Sequence, residues 1–180
     1  MNGNQTAVLA FAYLIEARKA KGIAKNKGVS FVEQTSTLEN HSFDVISMWH
    51  VLEHVPNLDN QIKELKRLLK PNGTLIIAVP NFKSFDAKHY KSNWAAYDVP
   101  RHIYHFNPET IQSIAKKHGF KLAKQHGQIF DSFYIALLSH EYKTGSKKLI
   151  ASFFVGLWSN LIAYFKTGNY SSNIYIFEHA

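Results

Sequence analysis

The stretch NLDNQIKELKRLLKPNGTLIIAVP, residues 57–80, changes its hydrophobic period part-way, and that change decides the fold. Leu58, Ile62, Leu65 and Leu69 recur at helical spacing and form one apolar stripe, while Lys63, Lys66, Arg67 and Lys70 take the other side. The spacing predicts a helix over Asn57–Lys70, stopped by Pro71-Asn72-Gly73. Thr74–Val79 then runs almost without polar interruption, as a strand covered on both faces does, and Pro80 ends it. A helix feeding a buried strand is the unit of an α/β sheet.

Working outward, Phe43–Trp49 reads as a second buried strand, apolar except near Asp44 and Ser47, with a polar loop over Gln34–Ser42 before it. Further upstream, Val29–Val32 suits a short strand and Ala17–Lys27 an exposed helix stopped by Gly28. Ala7–Ile15 suits a buried strand. Downstream, Asn81–Phe106 is a long connection rich in aromatics and histidines but without period, as lids and binding segments are. Asn107-Pro108-Glu109 opens a helix that closes at His118-Gly119. Phe120–Ile129 is expected as a strand, Lys147–Lys166 as an apolar helix and Asn173–Phe177 as a final, antiparallel strand. The expectation is one α/β domain over residues 1–180, with helices on both faces of the sheet.

Composition narrows the function. A hydrophobic fraction of 46% with 19% charged residues fits a folded core, so disorder is excluded as the general state. The absence of cysteine excludes disulfide scaffolds and thiolate metal sites, leaving histidine and carboxylate as metal ligands. The net charge of +8 is spread along the chain and accompanies no nucleic-acid motif, so no nucleic-acid partner is expected, and a cytoplasmic setting is. Membrane contact has one candidate, residues 149–165. There Ile150, Phe153, Phe154, Leu157, Leu161 and Phe165 form a helical stripe that falls short of the ~20 residues of a spanning helix. That stripe is expected to lie buried over the sheet or the substrate cleft. An interfacial helix is the alternative, because Trp158, Tyr164, Lys147, Lys148 and Lys166 suit a headgroup boundary.

SFDVI (Ser42–Ile46) followed by WHVLEHV (Trp49–Val55) resembles the fourth strand, and the turn after it, of class I S-adenosylmethionine-dependent methyltransferases. LKRLLKPNG (Leu65–Gly73) resembles their next helix and turn. VPRH (Val99–His102), His105-Phe106 and HGF (His118–Phe120) complete the pattern in order. The resemblance implies a Rossmann-like sheet with an extra apolar helix before the last strand, and methyl transfer to a small-molecule acceptor, at oxygen. It places S-adenosylmethionine against Met48, Trp49 and His50, with Thr35 and Ser36 near the adenine and Glu16 at the ribose. The family's acidic-Gly-x-Gly turn, which lets backbone approach the cofactor, has no counterpart. The chain is therefore expected to be an N-terminally incomplete domain, or a non-catalytic remnant, that binds the cofactor weakly. A peripheral membrane methyltransferase acting on a quinone or lipid is a further alternative.

His50, Glu53 and His54 stand at i, i+3 and i+4, one face of a helical turn. Ubiquinone-pathway and small-RNA methyltransferases carry a Glu-x-x-Glu-His motif there that holds a divalent cation. The resemblance offers His50, Glu53 and His54 as such ligands, with His102 or His105 as a further one. The alternative is that the Glu-His pair orders the turn or touches the cofactor. In the long connection, Trp94, Tyr97 and Arg101 are substrate-enclosing candidates. His54, His102 and His105 are the catalytic ones, since histidine titrates nearest neutrality. Asp131 is a further substrate-side candidate.

Overall fold

The computed structural model describes residues 22–23, 26–27, 32 and 34–180. The readings for Ala7–Ile15, for most of Ala17–Lys27 and for Val29–Val32 apart from Val32 lie outside the described residues, as does Glu16.

Four strands form one sheet in the order β1-β2-β4-β3: β1 Phe43–Trp49, β2 Leu69–Pro80, β3 Phe120–Gly127 and β4 Ser172–His179. β1 and β2 are parallel, whereas β4 runs antiparallel to both β2 and β3. The predicted antiparallel last strand is thus present, but it sits inside the sheet. The helices are α1 Leu58–Leu68, α2 Phe85–Tyr90, α3 Pro108–Lys117, α4 Asp131–Thr144 and α5 Leu149–Ile162, the last continuing into a π turn over Ala163–Thr167.

α1 starts where Asn57 accepts a hydrogen bond from the Asn60 amide, a cap that stabilises by about 1 kcal/mol. Its stripe is buried through Ile62, Leu65 and Leu68. Pro71-Asn72-Gly73 does not separate helix from strand as predicted: the chain leaves α1 directly into β2 at Leu69. Phe43 pairs with Leu69 and Val45 with Thr74, so the proline-glycine stretch is a bulge within the pairing. α3 carries a reciprocal capping box between Asn107 and Thr110 and ends on Gly119 at φ 75°, where a side chain would be strained.

Two apolar cores result. Ile46, Met48, Leu65, Ile77, Ile111 and Phe177 join β1, β2, β4, α1 and α3 in the larger one. The smaller gathers Ala87, Tyr90, Trp94, Ala96, Ile135 and Ala136 from α2, α4 and the connection between β2 and α3. That connection is not the structureless loop its lack of period suggested. It contains α2 and tight turns at Lys91–Asn93 and Ala95–Tyr97.

Asp86 on α2 is fully buried and holds this region together. It accepts hydrogen bonds from Trp94 Nε1, Ser159 Oγ and Ser171 Oγ, each at 2.7 Å. α5 is present, but its predicted orientation is reversed. Ile150, Phe153, Phe154, Leu161 and Phe165 are exposed, and the buried side is Ser152, Gly156, Ser159 and Asn160. The small side wins because α5 packs closely on α4: a Cβ at Gly156 would lie 3.0 Å from Phe133 Cα. Polar anchors hold that side too, Ser159 on Asp86 and Asn160 Nδ2 on the Ile129 carbonyl at 2.9 Å.

Candidate functional site

β1 and β2 are parallel, so their carboxyl ends share one edge of the sheet, where ligands bind in open α/β folds. Past β1 the chain turns sharply: His50 takes φ 51°, a left-handed conformation that costs a non-glycine residue energy, while its amide donates to the Ala78 carbonyl. A short 3₁₀ turn, Leu52–His54, follows and buries Glu53. Beside it opens a cleft of about 350 Å³, lined by His50, Glu53, Asp98, Arg101, His102 and Asp131, with Tyr134, Leu138 and Tyr142 of α4 as an apolar wall. Asp98, like His50, has a positive φ, of 39°. The wall is fixed from behind, since the Ala95 amide donates to Ser139 Oγ on α4 at 2.8 Å.

His50 spans two carboxylates, with Nε2 3.1 Å from Asp131 Oδ2 and Nδ1 3.4 Å from Glu53 Oε1. Burial pulls its pKa down. Asp131 and then Glu53 more than reverse that pull and raise it to about 10, so the ring is an imidazolium at neutral pH. His102 is the opposite case. Burial chiefly lowers its pKa, so the ring is neutral. Its Nδ1 lies 2.8 Å from the Ala96 carbonyl, which can only accept, so Nδ1 carries the proton and Nε2 keeps a lone pair. That Nε2 lies 3.8 Å from Asp98 Oδ2 and 4.0 Å from Glu53 Oε1. A neutral imidazole beside two carboxylates can take a proton and have the resulting cation stabilised.

His54 stands edge-on to His102, ring centres 4.6 Å apart, and its Nδ1 is held by the Arg101 carbonyl at 2.9 Å. Glu53 is 1% exposed, and neither carboxylate oxygen accepts a hydrogen bond. One ligand atom each from Glu53, His54 and His102 fall within 4.8 Å of one another. With both histidines held at Nδ1 by carbonyls, this set suits a divalent cation, the outer carbonyls fixing the rings as around bound metals. His50 is not in that group. It bridges Glu53 and Asp131.

The family model for the methyltransferase domain matches residues 3–125. The chain belongs to this methyltransferase family. Among curated proteins, the methyltransferase domain is 28% identical over 138 residues to a ubiquinone biosynthesis O-methyltransferase of Rickettsia canadensis, covering 71% of this chain and 58% of that protein. The chain thus spans little more than half the length of that relative. Among solved structures, an S-adenosylmethionine-dependent methyltransferase of Thermotoga maritima superposes with a TM-score of 0.57 at 18% identity, covering 90% of this chain and 70% of that one. The [4+2]-cyclase SpnF superposes with a TM-score of 0.57 at 17% identity, covering 92% and 62%. The fold is therefore the Rossmann-like methyltransferase sheet, and a protein titled a cyclase shares it.

Within the methyltransferase domain, the structure gathers some of the predicted site residues and separates others. His50, Arg101 and His102 line the cleft, and His54 stands behind His102. His105 turns away, its Nε2 2.9 Å from the Tyr97 carbonyl. Trp94 is 2% exposed with its indole committed to Asp86, so it supports the wall rather than contacting a ligand, and Tyr97 packs edge-on against it. Met48 belongs to the core and pairs with Ile77 of β2, whereas Trp49 is half exposed at the strand end. Thr35 and Ser36 sit in a 3₁₀ turn that Arg67 fixes through the Thr35 carbonyl. Sequence reasoning missed Asp98 and the α4 wall. The paired Arg101–Asp98 spacing was a readable signal, with Arg101 Nη2 2.7 Å from Asp98 Oδ1.

Proposed function

We propose that this domain carries out S-adenosylmethionine-dependent methyl transfer to a hydroxyl of a small acceptor, with His102 as general base. The observation that carries the reading is the neutral His102 ring, its Nε2 lone pair among cleft-lining carboxylates. As the acceptor oxygen attacks the methyl carbon and the carbon–sulfur bond breaks, His102 Nε2 takes the hydroxyl proton and Asp98 and Glu53 stabilise the imidazolium. The displacement otherwise needs positioning only. The Tyr134–Leu138–Tyr142 wall supports an acceptor with an apolar ring or tail. Oxygen as the methylated atom is favoured by the name of the Rickettsia relative. The test is transfer from labelled S-adenosylmethionine, at saturating concentration, to a panel of phenols. His102→Ala should lower turnover about 10²-fold or more. Full turnover in that variant, or no transfer to any hydroxyl acceptor, overturns the proposal.

A second reading rests on Glu53, whose buried carboxylate meets the His50 ring at 3.4 Å and accepts no shorter bond: Glu53, His54 and His102 hold a divalent cation, which would polarise the acceptor oxygen. Calorimetric titration with Zn²⁺ and Mg²⁺ tests it directly. Binding lost in Glu53→Gln supports it, and no heat from either ion removes it.

A further inference from the structure

α5 together with the π turn after it spans Leu149–Thr167, with a mean hydropathy of 1.4, and most of it is uncovered. Its outer face carries Ile150 (77% exposed), Phe153, Phe154 (61%), Trp158 (56%) and Phe165 (73%), and no charged residue falls between Leu149 and Phe165. A contiguous apolar face of this kind marks an interaction surface. On the neighbouring α4 and the turn before it, Ile129, Phe130 (85% exposed), Tyr134 and Tyr142 are exposed as well, and the two tyrosines line the cleft.

Three observations select the occupant. The ends of the apolar face are basic, with Lys143, Lys147 and Lys148 before it and Lys166 after it, while Trp158 and Tyr164 supply the amphipathic rings favoured at headgroup depth. Self-pairing is opposed by the same lysines. Antiparallel α5 helices would set Lys147 and Lys148 against Lys166, and parallel ones would set them against themselves. A spanning orientation is opposed by the inner face, since Ser159 is tied to buried Asp86 and Gly156 is pressed on Phe133, so lipid cannot surround the helix. We infer that α5 docks in the plane of an anionic lipid bilayer, with its apolar face in the acyl boundary and its lysines at the headgroups. The inference stands on exposure and charge and does not depend on the reaction performed in the cleft.

Flotation with phosphatidylcholine vesicles, and with vesicles that also contain phosphatidylglycerol, tests this. The expected result is binding that strongly favours the phosphatidylglycerol vesicles and weakens with salt. The triple variant Phe153→Ser, Phe154→Ser, Trp158→Ser should lower the partition coefficient by about a hundredfold or more, because three exposed aromatics leave the apolar phase. Lys147→Glu with Lys148→Glu should lower it about tenfold or more. Phe154, Trp158 and the two lysines face solvent while Phe153 also stacks on Phe133 at 5.3 Å, so thermal melting of the variants is the check that folding is intact. Trp158 fluorescence should be quenched by brominated lipid in the parent and much less in the Lys147→Glu, Lys148→Glu variant, which keeps the tryptophan. Four results overturn the inference: no flotation with either vesicle, equal flotation with both, equal binding by the triple variant, or a dimer in equilibrium sedimentation that the triple variant makes monomeric.

Discussion

Replacing Asp86 by alanine should be the most damaging single change in the smaller core, and its size can be worked from the contacts. Asp86 is fully buried and takes three hydrogen bonds of 2.7 Å, from Trp94 Nε1, Ser159 Oγ and Ser171 Oγ. All three donors belong to residues with 2% exposure or less, so water cannot replace the lost acceptor without rearrangement. Each orphaned donor costs about 1–3 kcal/mol, and the serine hydroxyls can partly recover by rotating, which sets the total near 3–6 kcal/mol. With a urea dependence of about 2 kcal/mol per molar, the unfolding midpoint should fall by about 1.5–3 M at unchanged slope. Asp86→Asn keeps the volume and one oxygen, and should lose about 1–2 kcal/mol. Tryptophan fluorescence follows the transition, because Trp94 is itself a partner. A midpoint shift below about 0.5 M in Asp86→Ala would show that the three bonds are not the tie between α2, α5 and β4 described above.

The stability contribution of His50 is governed by its raised pKa. Since the folded value of about 10 exceeds the ordinary 6.5, that contribution is fully present below pH 6.5 and is lost as pH rises through about 10. With the ring 35% exposed, about 1–2 kcal/mol is expected after solvent screening, and His50→Gln should flatten the alkaline limb of a melting-temperature series. If His102 is the base, kcat/KM should rise with pH with its inflection below the ordinary 6.5, because burial lowers the ring's pKa, and a first inflection above 7 would contradict that. Asn107→Ala removes the capping box of α3 and should cost about 1 kcal/mol, a fall of about 2–4 °C in Tm by calorimetry.

Where one physical rule dominated, the fold was readable in the sequence. β1, α1, β2 and α3 each bury a single stripe or both faces, and their boundaries follow the hydrophobic period except at the start of β2, which begins at Leu69 and not at Thr74. α4 escaped because it is used on several sides: Ile135 and Ala136 pack inward, Tyr134 and Tyr142 line the cleft, and Phe133 receives α5. Apolar residues spread round a helix leave no period to detect. For α5 the period was correct and its inference inverted. An apolar stripe names the face that avoids water, but close approach at Gly156 and the bonds of Ser159 and Asn160 settled which side meets the protein. At the site, the motif order brought His50, Glu53, His54 and His102 together. The split between a protonated His50 and a neutral His102 depends on Asp131 and on burial, neither of which is local in sequence.

The position of β4 has a consequence for how the chain reaches this structure during synthesis. β3 pairs only with β4 among the described strands, and β4 separates it from β2, although residues 172–179 leave the ribosome after every other strand described here. Until they emerge, β2 has an open edge along Leu75–Pro80 and β3 has no ladder partner at all. Sheet completion thereby waits for the last of the four described strands, and its contacts span long sequence separations that slow folding. A nascent chain stalled before Ser172 presents the unpaired apolar edge of β2 and an unpaired β3, a form prone to capture by chaperones, so loss of these few residues opens the middle of the sheet and leaves its rim in place.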